Sequence, residues 1–239
     1  VIEVQKLLDN IQEASNHQQK LLAVLIDPDK FQPKDAEDFI KYLPVLATHI
    51  FVGGSSVEQG KTCEVVKAIK NNSDLPVILF PGDHHQISSH ADALLFLSLI
   101  SGRNPEYLIE QQVRSVEKLR NSDLEIIPTG YILIDGGNET SVQRVSNTSP
   151  MSQVEVGKIV HTALAGQYSG KKLIYLEAGS GAKNAVSAEI IKAVKDALDI
   201  PLIVGGGIRS DLQLETAWNA GADLVVLGTA FEERSFNQN

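Results

Sequence analysis

The sequence predicts an α/β fold, a (β/α)8 TIM barrel in modified form, and three observations carry that prediction. Eight short, almost uninterrupted apolar segments recur along the 239 residues, amphipathic stretches separate most of them, and the last two segments stop at glycine. The length suits a single barrel of about 250 residues, so residues 1–239 are expected to form one domain.

The strands are expected at Leu21–Asp27, Ile50–Val52, Val77–Phe80, Ala93–Leu99, Glu125–Leu133, Leu173–Glu177, Leu202–Val204 and Leu224–Leu227. Runs of Leu, Ile, Val and Phe without polar alternation indicate strands covered on both faces. Helical spacing is expected at Asp35–Leu46, Val57–Lys70, Pro105–Leu119, Lys158–Gln167, Ala185–Leu198 and Leu212–Ala220, and the opening Val1–Lys6 also reads as helix. Between the third and fourth strands, Pro81–Asp92 is too short for a regular crossover helix, so the third helix is expected to be absent or vestigial. Its absence would leave a gap in the outer ring where a long apolar ligand could lie. Gly136–Val156, rich in Asn, Ser and Thr, is expected to be a long loop.

Composition narrows the function. A formal net charge of −9 with no basic run argues against a nucleic-acid partner. One cysteine, Cys63, rules out an internal disulfide and is expected to be a buried helix thiol. The longest apolar run, Ala93–Ile100, is far shorter than the roughly 20 residues of a transmembrane helix, and the first residues do not resemble a signal peptide. A soluble, cytoplasmic protein with no transmembrane segment is expected.

The glycine-rich ends Ile203-Val-Gly-Gly-Gly-Ile-Arg-Ser210 and Leu224-Val-Val-Leu-Gly-Thr-Ala230 stand where the seventh and eighth units of such barrels hold phosphate. They imply a phosphorylated substrate. Asp27 ends the first strand at the same mouth, and its carboxylate, with a hydroxyl from Ser55 after Gly53-Gly54, suits Mg²⁺. Asp29 is read equally well as a helix N-cap. Tyr175 and Glu177 lie two apart on the sixth strand and so share the face toward the barrel axis, where a carboxylate needs a hydrogen-bonding partner. A substrate hydroxyl or a lysine such as Lys30 would serve. Asp83-His84-His85 is read as polar loop rather than metal site, and Trp218 as packing.

Leu25-Ile-Asp-Pro-Asp-Lys30, Phe51-Val-Gly-Gly-Ser-Ser56, Pro128-Thr-Gly-Tyr-Ile-Leu133, Tyr175-Leu-Glu-Ala-Gly-Ser-Gly181, Val204-Gly-Gly-Gly-Ile-Arg209 and Leu227-Gly-Thr229 together resemble the geranylgeranylglyceryl phosphate synthase family, and its second group, with bacterial members, in particular. The resemblance implies a prenyltransferase that joins sn-glycerol 1-phosphate to geranylgeranyl diphosphate, with Mg²⁺ as cofactor and a homo-oligomeric state. It implies Asp27 and Ser55 as metal ligands and Glu177 as the catalytic carboxylate. It also implies that Tyr175, Leu176, Glu177, Ala178, Gly179, Ser180, Gly181, Gly206, Gly207, Gly228 and Thr229 bind glycerol 1-phosphate. A lipid product implies at most peripheral membrane contact. Many archaeal members carry a lysine where Leu25 stands, and that residue's role does not transfer. Phosphate loops alone also suit a sugar-phosphate isomerase, a thiamine-phosphate-type synthase or a barrel that binds phosphate or prenyl ligands without turnover.

Overall fold

A computed structural model of the chain describes residues 6–228 and Phe231. Eight parallel strands close into a barrel in sequence order: β1 Leu21–Ile26, β2 His49–Val52, β3 Val77–Leu79, β4 Ala93–Leu99, β5 Glu125–Leu133, β6 Leu173–Glu177, β7 Leu202–Gly205 and β8 Leu224–Leu227. Closure comes from β1 against β8, with Leu21 opposite Leu224 and Val24 opposite Leu227. The apolar runs form strands because both faces are covered. Ala23, Phe51, Leu95, Tyr131, Leu173, Tyr175, Ile203 and Val226 fill the interior, while alternating residues such as Ile174, Leu176 and Val204 pack under the helices.

The surrounding helices are α1 Leu7–Asn16, α2 Ala36–Tyr42, α3 Lys61–Lys70, α4 Gln111–Arg120, α5 Ser141–Ser146, α6 Val156–Tyr168, α7 Ala188–Ala197 and α8 Asp211–Asn219. Ile11 and Ala14 of α1 pack against the interior residues and close the barrel's N-terminal end. Glu125, at the start of β5, accepts from the Leu7 and Leu8 amides at 2.6 and 3.1 Å, occupying donors that an α-helix leaves unpaired at its start. Lys6 precedes the helix, and the expected helix over Val1–Gln5 lies outside the described residues.

Residues 80–92 between β3 and β4 contain only turns and bends, as expected of a missing third helix. Two helices are shorter than expected, since Val57–Gly60 are not helical and Leu43 leaves α2 with an extended ψ of 140° just before Pro44, while α6 runs beyond the expected Lys158–Gln167 at both ends. Pro105–Leu119 divides into a π-helical turn, Glu106–Glu110, and α4. The loop expected over Gly136–Val156 contains α5, because Thr140 caps it by accepting from Gln143 N at 3.2 Å and Asn147 ends it with a left-handed φ of 48°. Cys63 lies on α3 but is half-buried rather than buried. Trp218 packs as expected, 7% exposed, its indole donating to Leu21 O at 3.0 Å.

Candidate active site

The strand ends open into one cavity of about 500 Å³, which is lined from the β7 and β8 glycines across the mouth to the outer surface of β4. Its buried carboxylate is Glu177, the last residue of β6 and 6% exposed. Strand alternation turns Tyr175 and Glu177 to the axis and sends Leu176 and Ala178 outward into the layer beneath the helices. The side chains of Leu176 and Ala178 therefore do not line the cavity, although both were expected at the ligand. Tyr175, Glu177, Gly179, Ser180 and Gly181 do line it.

Burial pushes the Glu177 carboxyl up to about 6, and two interactions pull against that rise: the Tyr175 hydroxyl beside it and the Gly179 N–H, which donates to Oε1 at 2.7 Å. A carboxyl in this range is suited to accept a proton near neutral pH. Tyr175 is wholly buried without a well-directed hydrogen bond, and burial followed by the Glu177 charge raises its hydroxyl well above the ordinary value. Tyr131 shifts the same way for the same two causes. Phe80 stacks on Tyr175 at 5.2 Å between centroids and lies 5.8 Å from Tyr131, so three rings form an aromatic floor. Lys30 is not the partner of Glu177: its ammonium stands 3.4 Å from Asp27 Oδ2.

The glycine-rich end of the cavity is built on missing side chains. Gly206 has a φ of +82°, and a Cβ there would come within 2.5 Å of Glu177 Oε1 and 2.6 Å of Gly179 N. Only glycine lets β7 turn at this point while the carboxylate and the amides keep their places. Gly207 and Gly228 line the same end, whereas Thr229 lies outside the described residues. Arg209 reaches over the loop after β6, its guanidinium donating to Ala182 O and Lys183 O.

Across the mouth, Asp27 and Ser55 face the same cavity. Asp27 Oδ1 accepts from Asp29 N at 3.1 Å, and the Asp29 carboxylate turns away to accept from Glu58 N at 3.2 Å, so it caps the β2–α3 loop rather than its own helix. Among the described residues no three His, Cys, Asp or Glu side chains converge. One carboxylate and one hydroxyl are all-oxygen donors that fit a hard cation completing its shell with water and phosphate oxygens, the habit of Mg²⁺.

Beyond the aromatic floor the cavity leaves the barrel through the gap where a third helix would stand. Phe80, Ile87, Leu94 and Phe96 give it apolar walls, and α4 contributes Gln112 and Ser115. Sequence reasoning missed Gln112, whose buried amide donates to Leu97 O and, at 3.1 Å, to Ser98 Oγ. It also missed His84, whose ring Nδ1 and backbone N–H both meet Gln111 Oε1, at 2.9 and 2.8 Å. A shared carbonyl acceptor fixes the proton on Nδ1. No local motif announces either contact, because each joins the β3–β4 connection or β4 to α4 across the fold.

Known proteins share this arrangement. A family model described as the PcrB family matches residues 15–239. The geranylgeranylglyceryl phosphate synthase of Zunongwangia profunda is 58% identical over 231 residues, covering 97% of this chain and 99% of that protein. The synthase of the same name from Pyrococcus furiosus is 45% identical over 215 residues, covering 89% and 85%. The crystal structure of (S)-3-O-geranylgeranylglyceryl phosphate synthase from Thermoplasma acidophilum, in complex with its substrate sn-glycerol-1-phosphate, superposes with a TM-score of 0.88 at 34% identity, over 96% of this chain and 92% of that one. With a family model matched over almost its whole length and relatives this similar at both ends, the chain belongs to the PcrB family.

Proposed function

We propose that the protein forms an ether bond between the C3 hydroxyl of sn-glycerol 1-phosphate and geranylgeranyl diphosphate, releasing diphosphate. The observation that carries this reading is the position of Glu177: a buried carboxyl near 6 between a glycine-lined anion end and an apolar groove that leaves through the helix gap. A sugar-phosphate isomerase has no use for such a groove.

Glycerol 1-phosphate binds with its phosphate against Gly206, Gly207 and Gly228 and its hydroxyls at Glu177. The prenyl chain lies along Phe80, Leu94 and Phe96. Glu177 takes the proton as the C3 oxygen bonds to the allylic carbon, and the carbon–oxygen bond to diphosphate breaks with its electron pair leaving on diphosphate. The rings of Phe80, Tyr131 and Tyr175 present π-electron density where positive charge develops on the prenyl carbon. Asp27 and Ser55 would hold Mg²⁺, which when bound neutralises charge on the diphosphate. The rest of the catalysis is positioning two reactants within one water-poor cavity. A cytoplasmic location, a homo-oligomeric state and peripheral contact with the membrane that receives the product belong to the same reading. Among the described residues no helix is long and apolar enough to cross a membrane.

Turnover with glycerol 1-phosphate and a series of prenyl diphosphates of graded length, with and without Mg²⁺, tests the reading. Efficient, Mg²⁺-dependent ether formation with long chains is the expected result. Turnover of sugar phosphates instead, or ligand binding without any product, would overturn it.

A further inference from the structure

The β3–β4 connection does more than leave a gap. Gln86, at its centre, is 2% exposed, and both ends of its amide are spent on one residue of another element: Oε1 accepts from Gly54 N at 3.2 Å, and Nε2 donates to Gly54 O at 2.8 Å. A side-chain amide that pairs with both backbone groups of a single residue holds that peptide as a neighbouring strand would. Gly82 reinforces the contact, since a Cβ there would fall 2.3 Å from Gly54 O and 2.7 Å from Ser55 O. The Gly54 backbone in turn lies against the proposed metal carboxylate, for a Cβ on Gly54 would stand 3.0 Å from Asp27 Oδ1. Gln86 thus grips Gly54 by both of its backbone groups, in the peptides on either side of a residue that lies against Asp27 and leads into Ser55.

We propose that Gln86 is a positioning residue for the cation and diphosphate site, fixing Ser55 Oγ relative to the Asp27 carboxylate through the Gly54 backbone. A crossover helix would keep its backbone about a side chain's length from β2. The helix-free connection comes close enough for Gln86 and Gly82 to hold the turn after β2 directly. The segment that opens the groove for the chain also sets the geometry at its charged end. This rests on the reading of Asp27 and Ser55 as metal ligands given above.

The test measures Mn²⁺ binding by paramagnetic resonance in the presence of inorganic diphosphate, alongside calorimetry of glycerol 1-phosphate binding, for wild type, Asp27→Asn, Gln86→Glu, Gln86→Met and Gly82→Ala. Outer contacts to metal ligands are worth about 10–100-fold in metal affinity. Both Gln86 variants and Gly82→Ala are expected to weaken Mn²⁺ binding by at least about tenfold and to leave glycerol 1-phosphate affinity within about twofold. Gly82→Ala presses on the same carbonyl without altering a buried polar side chain, so the test survives if a Gln86 variant fails to fold. If Asp27→Asn abolishes Mn²⁺ binding while the other three variants leave it within twofold of wild type, the role of Gln86 is refuted. So is it if both ligands weaken in parallel, which is the signature of a structural residue. If Asp27→Asn itself leaves Mn²⁺ binding unchanged, the metal assignment falls first.

Discussion

The β3–β4 seam and the β7–β8 seam are the same at the bottom of the barrel and opposite at the top. Asp92 immediately precedes β4; its N–H donates to Val77 O at 2.9 Å, and its Oδ2 accepts from Val77 N at 2.7 Å and from Lys70 at 2.9 Å. Asp223 immediately precedes β8; its N–H donates to Leu202 O at 2.9 Å, and its Oδ2 accepts from Leu202 N at 2.7 Å and from Lys195 at 2.7 Å. Each aspartate clamps the first residue of the preceding strand and the lysine near the end of the helix that leads into that strand. Above the clamps, β7 and β8 are joined through α8, whose first turn Ser210 caps by accepting from Gln213 N, while β3 and β4 are joined by turns alone. Equal foundations carry the glycine-lined end proposed for phosphate at one seam and a helix-free gap with apolar walls at the other. The frame is thus held at the N-terminal end of the strands, and the C-terminal connections are left to differ with the ligand.

The comparison breaks most sharply at the charged end of the open seam. Asp27→Asn is expected to lower turnover by about 10²–10³-fold while leaving the melting temperature nearly unchanged, because a mouth carboxylate with a side chain 24% exposed supports no core. Near-normal steady-state rates would remove the metal from Asp27. Chain-length dependence comes next. With about 0.8 kcal/mol for each buried methylene, burial equivalent to about three or four of the ten carbons added from geranyl to geranylgeranyl diphosphate raises catalytic efficiency by about 10²-fold, which is the expected rise, and Phe96→Gln should erase most of it. A flat response would mean the gap holds no chain.

At the closed seam, Gly228→Val is the clean probe. Among the described residues a Cβ there meets nothing nearer than Leu25 Cδ2 at 3.7 Å, whereas at Gly206 it would displace Glu177 as well. The KM for glycerol 1-phosphate is expected to increase about tenfold and that for the prenyl diphosphate less than twofold. Equal increases would show that these loops do not distinguish the two anions. The smallest effect concerns pH. With Glu177 at about 6, kcat/KM is expected to fall about tenfold for each unit below that value. Between its ordinary value of 4.5 and about 6 the folded protein holds the extra proton on Glu177, so the unfolding free energy of wild type relative to Glu177→Gln should decline by about 2 kcal/mol as pH rises through that window; the difference is needed because buried His49, lowered to about 4, drives total stability the other way. A difference between wild type and Glu177→Gln that rises across the same window would contradict the buried, desolvated carboxyl.

The barrel and much of its mouth were legible because strand burial, glycine at strand ends and the shortness of 80–92 are local signals. Alternation alone places Tyr175 and Glu177 on the axis. The same period turns Leu176 and Ala178 away, so carrying over a contiguous motif overreaches by two side chains. The support around Glu177 was not legible, since the choice between a lysine and the Gly179 amide depends on how the loop after β6 folds. Gln86 on Gly54, His84 on Gln111 and Glu125 on α1 were equally hidden. Each is a long-range bond from a polar residue in an unremarkable stretch. Helix α5 was missed because six residues with a threonine cap carry too little periodicity to stand out from a polar loop.

Barrel closure brings the last strand to the first, and Gly228 follows directly after β8 has paired with β1. The proposed phosphate contact at Gly228 therefore exists only while that seam is shut. Glycerol 1-phosphate should act as a latch, slowing amide hydrogen exchange in β1 and β8 more than in β4 and β5. At a hundredfold excess over its dissociation constant, a ligand that leaves when the seam opens adds about 2.7 kcal/mol to the opening free energy.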